Sequence, residues 1–340
     1  MKVPKVSVII LMYNTLSKLG KEFIKKMIEG VYYQDYRNLM LVIVDNGSHD
    51  KTADYVSKLL NEYSGIEYYV IRLPKNYGYT GGNNRGAVYS MNRGAEYLFF
   101  MNDDVILLSR NIITVLVKSL EIDQKLGAVQ PLIVNRDGSI NCGFRVGLSS
   151  IPKVDRHGEK IFYVSGAAFL TRSKLFMKVG MFDPDFFLYH DDVDYAWRLR
   201  LLNYRVACIK SVKAYHFGSA TVGEESPKYY YFMLRNAVWA ITKNSSGAAF
   251  IPRLLLLSME STISFLLHHL LIRRNVDLVK ADIKGLFDGI KSIKVAISKR
   301  KIAQGMRLAS ETLINKTMDV SIDFELLFPE LFRRKLKLNL

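Results

Sequence analysis

Five short apolar runs, each ending abruptly in polar residues, constrain this chain more than any other feature. They lie at Val6–Ile10, Leu39–Val44, Glu67–Leu73, Tyr97–Met101 and Ala128–Val134. Helical patterns fill the intervals, at about 17–33, 50–63, 80–93 and 109–122. Strand-length apolar runs alternating with helices predict βαβ units and a largely parallel sheet flanked by helices. Ligands of such sheets bind at the carboxyl ends of the strands. The residues at those ends are Tyr13-Asn14, Asp45-Asn46, Pro74-Lys75-Asn76 and Asn102-Asp103-Asp104. Polar and acidic groups directly after buried strands are the first sign of a site.

The rhythm changes at 135. A glycine-rich stretch, Asp137–Gly147, reads as turns or a hairpin, followed by a strand over Ile161–Thr171 and a short helix from Ser173 to Val179. A helix over about 191–202, a strand Arg205–Ile209 and a tyrosine-rich helix over about 225–243 complete this part. Such a region suits strands added to the edge of the parallel sheet, making it mixed.

Beyond Asn244-Ser245-Ser246-Gly247 the composition shifts. Leu254–Ile272 is mostly apolar, but Ser258, Ser261, Thr262 and His269 fall near one helical face, while Leu255, Met259, Ile263, Leu266 and Leu270 fall on another. A spanning helix needs about 20 apolar residues with few charges. The polar side favours a helix lying in a membrane interface; whether the segment spans or lies stays open. The following residues, 273–301, hold nine Lys/Arg against three Asp. A packed helical extension with a solvated basic face is the plainer alternative.

Charge sharpens this division. The chain has 340 residues and a formal net charge of +16, and 49% of it is hydrophobic, which excludes a disordered chain. Residues 241–340 hold 17 basic and 9 acidic residues, so half the excess sits on under a third of the length. A basic tail implies an anionic partner such as phosphate, nucleic acid or a membrane surface. The two cysteines, Cys142 and Cys208, make no CxxC and no disulfide framework, and read as small buried residues. The N-terminal MKVPKVSVIILMYNT reads as a first buried strand rather than a signal peptide, which points to a cytosolic-side protein.

Four segments carry chemistry. In Asp45-Asn46-Gly47-Ser48-His49-Asp50, Asp45 ends a strand, where it could accept a nucleobase N–H, and Asp50 can cap the next helix. Asn76–Gly86 holds glycines that let backbone approach a diphosphate, although tight turning and helix packing would use them too. Asn102-Asp103-Asp104 offers carboxylates to Mg²⁺ or Mn²⁺, which prefer oxygen ligands and bridge phosphates. His190-Asp191-Asp192-Val193-Asp194 opens a helix with three carboxylates, one of which could serve as general base, and Asp194 can pair with Arg198 one turn on. His216 follows a strand and could be structural or complete a metal site.

Taken together, these segments resemble family 2 inverting glycosyltransferases of the GT-A fold, in the rhamnosyltransferase-like and galactofuranosyltransferase-like branch. The likeness runs in order from about 5 to 245: the Tyr13-Asn14 strand end, the Asp45–Asp50 turn, Asn76–Gly86, Asn102-Asp103-Asp104 at the DxD position, the HDDVDYAWR helix over 190–198, and Ala214–Ser219. It implies a Rossmann-like α/β domain over 1–245, with a mostly parallel mixed sheet, and a helical, basic, membrane-associated extension over 246–340. It further implies that Tyr13 and Asp45 contact the base of a UDP-, dTDP- or GDP-sugar, that Asn102 and Asp103 lie near its ribose and diphosphate, and that Asn14, Asn76, Gly81, Gly82 and Asn84 complete the donor site. Asp104 would bind Mg²⁺ or Mn²⁺ with His216. Asp192 would be the base, with Asp191 raising its pKa by like-charge repulsion. Because the motifs read NDD and HDD, Asp103 remains an alternative metal ligand and Asp191 an alternative base.

The implied reaction moves a sugar to a hydroxyl of a glycan, expected to be lipid-linked, at the inner face of the cell membrane. Three other classes of protein predict different features. A sugar-phosphate nucleotidyltransferase would want a basic glycine-rich loop after the first strand, where this chain has Leu11-Met12-Tyr13-Asn14. A nucleic-acid-binding protein would interleave aromatic and basic residues. A non-catalytic sugar-binding module would not need Asp104, Asp192 and His216. No nucleic-acid partner is expected.

Overall fold

The computed structural model describes residues 3–218 and 226–319. The chain falls into two compact units, one of Met1–Arg145 with Val154–Thr221, the other of Val146–Lys153 with the residues from 222 onward. The tyrosine-rich helix, expected to close the first domain at 245, groups with the second unit.

In the first unit the alternation folds as its pattern predicts. The order is β1 (Val6–Met12), α1 (Thr15–Tyr32), β2 (Leu39–Asp45), α2 (Thr52–Leu60), β3 (Glu67–Arg72), α3 (Gly78–Asn92) and β4 (Tyr97–Asn102). Next come β5 (Val105–Leu107), α4 (Ile112–Ile122), β6 (Leu126–Asn135) and β7 (Ile140–Asn141). A small hairpin, β8 (Phe144–Val146) with β9 (Pro152–Val154), precedes β10 (Ala168–Arg172), α5 (Ser173–Lys178), α6 (Asp191–Leu201) and β11 (Arg205–His216).

The main sheet runs β3-β2-β1-β4-β10-β6-β11-β5, with β7 on β6. Its first four strands are parallel, β10 is antiparallel to both neighbours, β11 is parallel to β6, and β5 is antiparallel to β11. The expected mixed, mostly parallel sheet is present. Because β1 pairs with both β2 and β4, the chain reverses direction beside β1, and that switch point lies at the carboxyl ends carrying Tyr13, Asp45 and Asn102.

Strand β1 is buried on both faces, as a parallel strand covered by helices must be. Val6, Val8, Ile10 and Met12 join Ile24, Met27, Ile28 and Val31 of α1 in one core. An aromatic cluster also packs here: Phe100, Phe169, Phe176, Phe182 and Tyr195 approach one another with ring centroids 5.0–6.2 Å apart. This cluster seats α6.

Two expectations are corrected. The strand predicted from Ile161 begins only at Ala168, because a turn at Gly166 interrupts it. Cys142 and Cys208 are not free thiols; they form a disulfide across 66 residues, tying the end of β7 to β11. Closing a loop of that length constrains the unfolded chain by on the order of 4 kcal/mol.

In the second unit, α7 (Pro227–Asn244) is followed by α8 (Gly247–Ile263), which continues as a π-helical segment over Ser264–Ile272. Then come α9 (Val276–Lys291), α10 (Ile293–Gly305) and α11 (Glu311–Asn315). Gly285 and Gly289 let α9 lie close against α7, since a Cβ at Gly285 would fall 2.5 Å from the Tyr231 carbonyl oxygen. Arg253 of α8 is buried and reaches the Leu148 carbonyl (3.0 Å), Asn315 (2.5 Å) and Glu311 (2.9 Å).

Gly247–Ile272 is, by length and composition, apolar enough to cross a membrane, and only 20% of its most apolar window is buried in the protein. Three of its polar residues turn inward while Thr262 is exposed: Ser261, His268 and His269 are buried, and His269 Nε2 lies 3.0 Å from Asp282 Oδ2. Several apolar residues turn outward, with Leu255 66% and Leu271 63% exposed, while Leu257 is buried.

Candidate active site

Strand β4 ends at Asn102, and the Asp103-Asp104 turn leads into β5. Register on β11 sets His216 opposite Val105, which brings a side chain from 112 residues downstream onto this turn. His216 Nε2 lies 3.3 Å from Asp104 Oδ2, and its Nδ1 lies 3.4 Å from Asn135 Oδ1. The other Asp104 oxygen is buried without a hydrogen-bond partner. An orphaned carboxylate oxygen in a buried setting is costly unless a cation or donor meets it.

Asp103 is held differently. It accepts from the Thr15 hydroxyl and the Tyr13 backbone N–H. Burial, and then the charge of Asp104, push its carboxyl up to about 7. Of the two acidic alternatives, only Asp104 is paired with His216. Among the described residues no three His, Cys, Asp or Glu side chains gather as a complete metal cage. Mg²⁺ and Mn²⁺ sites that handle phosphates commonly hold one or two protein ligands and take the rest from substrate and water.

The second acidic cluster sits at the start of α6. The loop before it is strained, with Phe187, Tyr189 and His190 all at positive φ (66°, 63° and 63°). Asp194 is not open to a ligand: it is fully buried and bonded to Arg198 Nε (3.0 Å) and Nη2 (2.7 Å), the ion pair the spacing predicts. Asp191 is also buried, and burial together with the charge of Asp192 raises its carboxyl well above the usual range.

Asp192 is half-buried. Its Oδ1 accepts from the Val193 N–H at 2.8 Å, and the Gly166 N–H also donates to its carboxylate. Burial pushes it up to about 6 against those two donors. Burial is the chief cause of that shift, and the like-charge repulsion within the pair adds to the raised carboxyl of Asp191.

Sequence reasoning missed what surrounds Asp192. The Tyr79 hydroxyl donates to the Gly166 carbonyl at 2.7 Å. A Cβ on Gly166 would fall 3.3 Å from that hydroxyl and 3.6 Å from Asp192 Oδ2, so this turn lies directly under the carboxylate. Burial and then the charges of Asp191 and Asp192 raise the Tyr79 hydroxyl well above its ordinary value, so it stays protonated and donating. The available signal was Gly166 itself, a glycine inside an otherwise strand-like run.

The Asn76–Gly86 segment links the β2 turn to the α6 loop. Gly78 has φ +72°, and a Cβ there would sit 2.2 Å from the Phe187 carbonyl oxygen, which accepts from the Tyr79 N–H at 2.7 Å. Only glycine lets the strained loop lie so close. Buried Asn46 holds the turn: its Nδ2 donates to Asn76 Oδ1 (3.0 Å) and its Oδ1 accepts from the Tyr77 N–H (2.9 Å).

Several expected donor contacts are otherwise engaged. Asn84 donates to the Phe182 carbonyl (2.7 Å) and accepts its N–H (3.1 Å). Gly82 packs α3 onto β1, where a Cβ would meet Leu11 Cδ1 at 2.3 Å, and a Cβ on Gly81 would meet Tyr77 Cβ at 2.9 Å. Asn76 Oδ1 also accepts from the Gly78 N–H at 2.7 Å. Asn14 accepts from the His49 N–H at 2.8 Å, tying the β1 and β2 turns together. Asp45 is buried at the end of β2 and accepts from the Ser48 N–H at 3.2 Å. Asn102 donates its backbone N–H to the Ala167 carbonyl at 2.8 Å. Tyr13 keeps its ring half-buried at the end of β1, with the Lys18 ammonium 5.0 Å from the ring centroid.

This mixed sheet, with one acidic turn at the switch point and another at a helix start, is the GT-A architecture of glycosyltransferases. The chain belongs to glycosyl transferase family 2, whose description matches residues 7–195, more than half of its length. It is a glycosyltransferase.

It is 27% identical over 288 residues to the dTDP-rhamnosyl transferase RfbF of Shigella flexneri, covering 76% of this chain and 88% of the relative. To the low-salt glycan biosynthesis hexosyltransferase Agl10 of Haloferax volcanii it is 24% identical over 264 residues, covering 74% and 82%. Its fold matches a mannosyltransferase from Pyrobaculum calidifontis, solved with GDP-Man and Mn²⁺, at TM-score 0.53 and 17% identity over 97% of this chain and 89% of that one.

Proposed function

We propose that the chain is a metal-dependent, inverting glycosyltransferase that moves a sugar from a nucleoside-diphosphate sugar to a hydroxyl of a lipid-linked glycan. The observation that carries this reading is the Asp104–His216 pair, with its buried, unpartnered carboxylate oxygen. An oxygen and an imidazole nitrogen fit Mn²⁺ or Mg²⁺, and the Pyrobaculum enzyme was solved with Mn²⁺. When bound there, a divalent cation supplies positive charge where negative charge grows on the leaving diphosphate.

The chain's own residues do the rest. Tyr13 and Asp45 bind the base, and the Asn102-Asp103 backbone lies beneath ribose and diphosphate. Asp192 takes the proton from the acceptor hydroxyl as that oxygen attacks the anomeric carbon opposite the diphosphate, so a single displacement inverts configuration. At neutral pH a carboxyl near 6 is mostly ionised yet more basic than an ordinary aspartate, which suits a general base. Asp191 is more deeply buried, and that burial favours its neutral form, which leaves the proton to Asp192.

The exposed apolar residues of Gly247–Ile272, such as Leu255, Met259 and Leu271, support docking on the cytoplasmic face of a membrane, where a lipid-linked acceptor would be met. The donor base is left to experiment. Thermal stabilisation is measured with UDP-, dTDP- and GDP-sugars, with and without Mn²⁺. We expect one nucleotide class to stabilise only with the metal. Stabilisation by none of them sinks the proposal.

A further inference from the structure

Helix α9 has two apolar faces where a packed helix needs one. Leu278, Ala281, Gly285 and Gly289 are buried. On the opposite side Val276, Ile283, Phe287 and Ile290 are 50–61% exposed. Their spacing, i, i+7, i+11 and i+14, puts them on one narrow stripe along the helix. Lys280, Lys284 and Lys291 form a row along one edge of that stripe and are exposed. Two acids stand near this row. Asp277 pairs loosely with Lys280 at 3.4 Å, and Asp288 accepts from the Tyr231 hydroxyl at 3.0 Å.

An exposed apolar stripe edged by cations is the pattern of a helix lying in the headgroup layer, with its apolar side among the acyl chains and its ammonium groups at the phosphates. The preceding helix also turns Leu255 and Met259 outward, so apolar exposure continues across successive elements of this unit. We propose that α9 is an in-plane docking helix for an anionic lipid bilayer, and that its lysine row gives the extension its preference for negatively charged headgroups. The occupant is a lipid surface because the cations lie at the stripe's edge, where headgroup phosphates would be, and because a contiguous exposed apolar stripe marks an interaction surface. This inference rests on the reading of the extension as a membrane-docking unit.

The experiment floats the full chain with phosphatidylcholine vesicles, alone or carrying phosphatidylglycerol. We expect much stronger binding to the phosphatidylglycerol vesicles, weakening with added salt. Each lysine near an anionic leaflet strengthens partitioning about fivefold, so K280Q/K284Q/K291Q should weaken it on the order of 100-fold. Ile283→Ser with Phe287→Ser should lower binding to both vesicle types by about tenfold or more. All five side chains are exposed, so the melting temperature and soluble donor hydrolysis should match wild type.

Leu255→Ser with Met259→Ser serves as the comparison. If it abolishes flotation while the α9 variants float as wild type, α9 is not the docking helix and the broader reading survives. Failure of the wild-type chain to float with either vesicle overturns both. Wild-type flotation by the α9 variants, together with conversion of a dimer to a monomer, identifies a second copy of the chain as the occupant and overturns the lipid assignment.

Discussion

The chain contains two pairs of adjacent aspartates at its site, Asp103-Asp104 after β4 and Asp191-Asp192 at the start of α6, and the fold treats them alike in one respect only. In each pair the first carboxyl is buried and pushed toward neutrality, Asp103 to about 7 and Asp191 well above the ordinary range. The second differs in its company. Asp104 faces an imidazole and has an oxygen without a donor, whereas Asp192 faces only backbone N–H groups. A carboxylate beside an imidazole suits a cation; one beside amide donors, with no cation partner, suits proton transfer. Neighbouring acids can thus divide two tasks because a one-residue step in the backbone points them at different environments.

The strongest way to break that division is to remove each working carboxylate. Asp192→Asn should lower kcat by on the order of 10³-fold while leaving the Kd for the nucleotide sugar within about twofold, since a base acts only in the transition state. Asp104→Asn should lower kcat/KM by about 10²–10³-fold, and here the loss should include metal-dependent donor binding, measured by calorimetry with and without Mn²⁺. If the two variants lost the same parameter, the comparison would collapse.

The pH profile is the next test. Asp192 must be ionised to accept a proton, and its carboxyl lies at about 6. Activity should therefore be level well above pH 6 and fall about tenfold per unit below it, and Asp192→Asn should remove that limb. A break near 4 would mean that the base is an ordinary solvated carboxylate.

Much of this was legible in the sequence, for identifiable reasons. Strands β1, β2 and β4 are buried apolar runs whose ends must be polar, so Tyr13, Asp45 and Asp104 announced themselves by position. Asp194 and Arg198 pair by helical spacing alone. What the sequence hid depends on contacts across long separations. Asn84 looks like a ligand residue, but its amide meets the Phe182 backbone 98 residues away. Gly82 looks like part of a phosphate cradle, but it clears Leu11. Cys142 and Cys208 have no local motif, and only the pairing of β7 and of β11 with β6 brings them together. Tyr79 and Gly166 have no meaning until α3 and the β10 turn meet beneath Asp192.

That last contact makes a smaller prediction. Tyr79→Phe removes the hydrogen bond to the Gly166 carbonyl and frees the turn whose N–H donates to Asp192. One hydrogen bond contributes about 1 kcal/mol, so kcat should fall about fivefold with donor affinity unchanged. The acid limb should move to higher pH, because a carboxylate that loses a donor is harder to ionise. A lower melting temperature with an unmoved limb would reduce Tyr79 to packing alone.

The smallest expected effect is the most discriminating. Asp191 is raised well above the ordinary carboxylate range by burial, and then by the charge of Asp192, which favours its neutral form. Asparagine has nearly the same shape and the same neutrality. Asp191→Asn should therefore change kcat by less than about threefold, against the roughly thousandfold loss expected at the next residue. It should also leave the limb near pH 6 in place, because burial rather than repulsion from Asp191 is the chief cause of the Asp192 shift. A dead Asp191→Asn enzyme beside an active Asp192→Asn would exchange their roles, and the buried carboxyl would have to ionise during the reaction. The burial of Asp191 against the half-exposure of Asp192 argues that it does not.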